Sequence, residues 1–175
     1  SAGVPTIGRL VGDATADAGD MYWMDEDTVA IGRSYRTNQD AVDQVRGILA
    51  ADGVKVEVFD LPHDLGPEYC LHLMSTISPV REDLDVVYEK LAPVAMLQSL
   101  ARRGIEWVVV DDEEYVTLGC NILAVRPGVV VMGERNVRTA DKLREKGVEV
   151  HTFVSEQSDK GEGGPTCMTR PLVRG

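Results

Sequence analysis

The chain has 175 residues, 43% of them hydrophobic and 27% charged, which is enough to bury a real core as a single domain. Its formal net charge of −11 argues against nucleic acid or an anionic membrane as the main partner, because both need a positive face. No apolar run is long enough to cross a bilayer and no basic-then-apolar signal segment opens the sequence. The three cysteines, Cys70, Cys120 and Cys167, are odd in number and widely spaced, so a reducing cytosol is expected rather than a disulfide framework.

In chain order, Ala2-Gly3-Val4-Pro5-Thr6-Ile7 reads as the exit of a helix that lies before the first residue. The expectation is a chain that starts mid-repeat, with upstream modules cut off, carried by another chain, or never present. Residues 21–24 and 28–31 flank Asp25-Glu26-Asp27 and predict a hairpin. After a loop over 32–37, Asn38 is a fitting N-cap, and Ala41, Val42, Val45, Ile48 and Leu49 form an apolar stripe at helical spacing. Strands are predicted over 54–59, 70–78, 84–88, 107–110, 121–125, 129–132 and 148–154. Further helices are predicted from Pro93 to Arg103 and over 137–146. Residues 155–160 read as a polar loop.

Three segments share one pattern: a helix closing on Gly53, Gly104 or Gly147, then Val or Ile, a charged residue and a strand. The glycine is the left-handed residue that ends the helix. Its recurrence about every 40 to 50 residues predicts an internally repeated α/β architecture.

Cys167 follows Gly163-Gly164-Pro165-Thr166. Such a turn exposes backbone N–H groups and leaves room beside the sulfur, so the thiol is a candidate nucleophile; the plainer reading is a small buried residue. His72, placed mid-strand between Leu71 and Leu73, is either a hydrogen-bonded structural residue or the proton carrier a thiolate needs. Cys70 is predicted to share its face. The Cys-x-His spacing has no second ligand pair, so no metal and no cofactor are expected. Asp17 and Asp20 bracket Ala18-Gly19 and could orient a histidine or grip a cation, or could simply form an acidic turn. Arg36, just before a helix N-terminus, suits an anion such as a carboxylate, or is a solvated surface arginine. The four methionines Met21, Met24, Met74 and Met132 read as core, and Asp111-Asp112-Glu113-Glu114 as a solvated charged loop.

Four segments in order resemble the pentein superfamily of guanidine-modifying enzymes, which includes arginine deiminases, dimethylarginine dimethylaminohydrolases and amidinotransferases. They are Asp17-Ala18-Gly19-Asp20, Gly32-Arg33-Ser34-Tyr35-Arg36-Thr37-Asn38, Leu71-His72-Leu73-Met74-Ser75 and Gly163-Gly164-Pro165-Thr166-Cys167-Met168; Gly119-Cys120-Asn121 fits a further recurring turn. The resemblance implies a ring of five ββαβ modules, of which about three are visible over 1–175 as one partial domain. It implies Cys167 as nucleophile, His72 as acid and base, Asp17 as its orienting or guanidinium-binding acid, and Arg36 on the substrate carboxylate. Asp20 is a weaker binding candidate. Met74 stands where arginine deiminases usually carry Asp, which tilts the comparison toward dimethylarginine hydrolases.

The implied activity is cytoplasmic hydrolysis of a guanidino substrate to a ureido product through a covalent amidino-thioether. Amidino transfer to an amine, or an incomplete module that binds rather than catalyses, stand as alternatives; a cysteine peptidase is more distant. An incomplete ring would expose apolar module edges, so self-association is expected.

Overall fold

The computed structural model describes residues 3–69, 71–161 and 163–169. They form one pattern three times: two antiparallel strands, a helix, and a third strand that returns parallel to the second. In the first module, β1 (Met21–Trp23) runs antiparallel to β2 (Thr28–Arg33), α1 (Gln39–Ala50) follows, and β3 (Lys55–Asp60) pairs parallel to β2. A short helix, α2 (Leu73–Thr76), leads into the second module of β4 (Ile77–Arg81), β5 (Leu84–Val87), α3 (Val94–Arg103) and β6 (Glu106–Val109). After α4 (Asp112–Tyr115) comes the third, with β7 (Leu123–Arg126), β8 (Val129–Gly133), α5 (Val137–Glu145) and β9 (Glu149–Phe153), and then α6 (Glu156–Asp159). The three sheets have orders β1-β2-β3, β4-β5-β6 and β7-β8-β9. This is the repeated α/β architecture that the glycine pattern predicts, in the ββαβ form that the resemblance implies.

Local chemistry accounts for the punctuation. The Asn38 side chain accepts from Ala41 N–H at 3.0 Å and starts α1, while its amide donates to the Asp13 carbonyl at 2.8 Å. Gly53, Gly104 and Gly147 have φ of 76°, 72° and 78°, so each takes the left-handed conformation that closes its helix. Among the described residues no helix is long and apolar enough to cross a membrane.

The chain divides into two compact units, Ser1–Leu73 and Met74–Gly175. In the first, Val29, Ile31 and Val42 form the core between sheet and α1, flanked by half-buried Val45, Leu49, Val56 and Val58. In the second, one cluster runs through both modules: Val80, Leu84 and Val86 join Ile122, Val130, Met132 and Leu143. Truncating a fully buried Met132 or Leu143 to Ala costs about 2–5 kcal/mol. Shared burial explains why these two modules make one unit.

Three local expectations are corrected. Of the strand expected over 70–78, Cys70 lies outside the described residues, His72 precedes α2, Leu73–Thr76 are helical, and only Ile77 and Ser78 are extended, in β4. The cause is a side chain from far away in sequence, because Asp20 Oδ1 accepts the Leu73 N–H at 2.9 Å. The polar stretch 155–160 contains α6. The charged run 111–114 is not a solvated loop, since Glu114 is buried and its carboxylate accepts from Arg138 N–H, Thr139 N–H and the Thr139 hydroxyl at 2.8, 2.8 and 2.6 Å. It caps α5, while Asp111 and Glu113 pair with Arg138.

Candidate active site

The first unit gathers four of the five candidate residues around one acidic turn. Asp17 opens a 3-10 turn over Ala18–Asp20 and accepts the Gly19 N–H at 3.0 Å. Its other oxygen, Oδ2, lies 3.1 Å from His72 Nε2. The Gly19 N–H holds the Asp17 carboxyl below the usual carboxylate range; His72 and the Arg36 charge act the same way, and partial burial opposes them. Gly19 is required by close approach: a Cβ there would meet His72 Nδ1 at 2.6 Å. The imidazole is thus held between an acid on one side and a bare backbone on the other.

Asp20 is fully buried. Oδ2 accepts the hydroxyls of Ser34 and Thr37, both at 2.7 Å, and Oδ1 accepts the Leu73 N–H. Thr37 Oγ1 in turn accepts the Asp17 N–H at 3.1 Å, and Ser34 Oγ accepts the N–H groups of Arg36 and Thr37. One carboxylate therefore fixes the loop that carries Arg36 and the backbone next to His72. Its geometry is that of a structural residue.

The two arginines of that loop have different fates. Arg33 is spent on Asp60, with bonds of 2.6 and 2.9 Å, and on Gln39. Arg36 is exposed and, among the described residues, has no ion-pair partner. Beside it opens a cavity of about 330 Å³, lined by Arg36, Tyr35, His63, Leu65 and Tyr69 among others. His63 was not legible as a site residue. Its Nδ1 lies 2.6 Å from Tyr35 Oη, a contact across the ends of β2 and β3. In the second module, the same position between the ends of β5 and β6 holds a cavity of about 530 Å³. That one is crowded by ion pairs, Lys90 with Asp112 and Arg138 with Asp111.

Cys167 belongs to the second unit. It is exposed, in a turn where its N–H donates to the Gly164 carbonyl at 3.1 Å. Its sulfur accepts from Asn121 Nδ2 at 3.1 Å. Cys120, by contrast, is buried, which pushes its thiol up to about 12 and leaves it inert near neutral pH. Among the described residues no group of three or more His, Cys, Asp and Glu is arranged to hold a metal ion.

The repeated ββαβ modules have the pentein fold of the chain's structural neighbours. The arginine deiminase family model matches residues 99–174. An arginine deiminase of Mycoplasma capricolum is 30% identical over an alignment taking in 93% of this chain and 48% of that protein. Among solved structures, a dimethylarginine dimethylaminohydrolase of Pseudomonas aeruginosa, a C249S mutant complexed with citrulline, superposes with a TM-score of 0.75 at 23% identity, covering 91% of this chain and 57% of that one. The N-terminal domain of the cyanobacterial arginine dihydrolase ArgZ gives 0.75 at 19% identity, covering 90% and 56%. The chain spans about half the length of the curated relatives it matches.

Proposed function

We propose that this chain carries the cysteine-dependent half of a guanidine hydrolase, acting on an arginine or methylarginine type of substrate and releasing a ureido product. In this reading the Cys167 thiolate attacks the guanidinium carbon. The tetrahedral adduct expels an amine that takes its proton from His72, leaving an amidino-thioether on sulfur. His72 then takes a proton from water, the hydroxide attacks the same carbon, and collapse returns the thiolate and frees the ureido product. Asp17 holds the imidazole and steadies its charged form. Arg36 takes the substrate carboxylate, and Asp20 holds the loop that presents it. The single-domain reading of 1–175 and the covalent intermediate belong to the same proposal.

The observation that carries this reading is the Asp17–His72 pair, with Oδ2 and Nε2 3.1 Å apart over a glycine that nothing larger could replace. An exposed arginine beside a small cavity and an acidic chain suited to a cationic ligand support it. The test is a mass-spectrometric assay of arginine, mono- and dimethylarginine and agmatine without an acceptor amine, run on wild type and Cys167→Ser. A ureido product that disappears in the variant is expected. Product that persists in Cys167→Ser overturns the assignment of the nucleophile, and product formed only when an amine is added identifies amidino transfer instead.

A further inference from the structure

We propose that Asn121 is the positioning residue for the Cys167 sulfur, holding it by one half of its amide while the other half holds the turn. This rests on the reading of Cys167 as nucleophile. Asn121 Nδ2 donates to Cys167 Sγ at 3.1 Å, and Asn121 Oδ1 accepts the Thr166 N–H at 3.0 Å. The two bonds span 46 and 45 residues of sequence. Together they fix both the sulfur and the backbone one residue before it.

The amide is itself held from behind. The buried Ser78 hydroxyl on β4 donates to the Cys120 carbonyl at 2.6 Å and accepts the Ile122 N–H at 3.3 Å, so it brackets Asn121 on the main chain. Asn121 N–H donates to the Leu118 carbonyl at 2.9 Å, and the Cys120 side chain between them is in the core. From the other side, Gly164 closes on the amide: a Cβ at that glycine would meet Asn121 Cγ at 2.3 Å and Oδ1 at 2.4 Å. The contact is therefore built on both faces. A charged sulfur gains from an N–H donor that is already aimed at it, because no reorganisation is needed as charge develops. An amide is the side chain that supplies both a donor and an acceptor at this spacing.

The two halves of the amide can be separated. Asn121→Asp keeps the acceptor for Thr166 N–H and replaces the donor with a negative oxygen facing the sulfur. The whole chain is treated with iodoacetamide, digested, and the Cys167 and Cys120 peptides are followed by mass spectrometry. The Cys167 rate is expected to fall about tenfold in Asn121→Asp, the size of one hydrogen bond to a charged group. Cys120 should stay unreactive in both proteins, and the circular dichroism spectrum should be unchanged. Gly164→Ala, which displaces the amide without altering it, should slow Cys167 similarly and serves if the first variant does not fold. A wild-type rate at Cys167 in either folded variant overturns the proposal. Alkylation needs no substrate, so this result is independent of the turnover assay: activity that survives Cys167→Ser defeats the nucleophile reading and leaves the alkylation rates standing.

Discussion

Asp20 and Asp85 are both aspartates with almost no exposure, at 0% and 3%, yet they live in opposite surroundings. Asp20, in the acidic turn of the first unit, meets two hydroxyls and a backbone N–H. Asp85, on the central strand of the second module, is buried, and burial alone pushes its carboxyl up to about 8. The first is a joint that ties three segments together. The second is a group that folding keeps protonated near neutral pH. Burial of a carboxylate is thus no signature of a site; the donors aimed at it decide what it does.

That contrast can be broken from either side. Asp20→Ala leaves the Ser34 and Thr37 hydroxyls and the Leu73 N–H without their acceptor, and orphaned donors cost about 1–3 kcal/mol each, so a loss of about 4 kcal/mol or more is expected in urea unfolding. A loss below about 1 kcal/mol would show that water replaces the carboxylate. For Asp85, the unfolded carboxyl titrates near 3.8 and the folded one near 8. Between those values the unfolded state binds fewer protons, so this group's contribution to stability falls as pH rises, by about 1.4 kcal/mol per unit. Asp85→Asn should remove that slope. Thermal melts of both proteins from about pH 5 to about pH 7 should converge or cross accordingly, and parallel curves would put Asp85 in a wetter setting. The smallest effect is expected at Asn38→Ala, which removes the α1 cap and costs about 1 kcal/mol. Denaturant midpoints measure it.

What could be read from sequence was whatever depends on neighbours. The three left-handed glycines, the Asn38 cap and the hairpin around Asp25-Glu26-Asp27 are decided within a few residues, and the module repeat follows from them. Residues 70–78 looked like a strand because Leu71 and Leu73 alternate with polar positions. The segment turns helical because the Leu73 N–H is taken by Asp20, 53 residues earlier. Glu114 looked solvated because its three neighbours are acidic, and its partners on α5 lie 24 and 25 residues on. Asn121 was noticed only as part of a recurring turn, since its bond to Cys167 is again a long-range one. Candidate residue types were legible; which of them touch was not.

The cavities at the carboxyl ends of β2 and β3, and of β5 and β6, have a consequence for how such a chain changes over time. Repetition supplies the same mouth more than once, at the place where parallel strands leave room for a ligand. In the second module the mouth is lined by charged groups already paired with one another, Lys90 with Asp112 and Arg138 with Asp111. In the first it stays open beside Arg36. A mutation that reshapes the first module's mouth leaves its strands and helix intact, because the core of Val29, Ile31 and Val42 lies elsewhere. Ligand preference can therefore drift in one repeat while selection for the fold is met by the same ββαβ pattern in all of them.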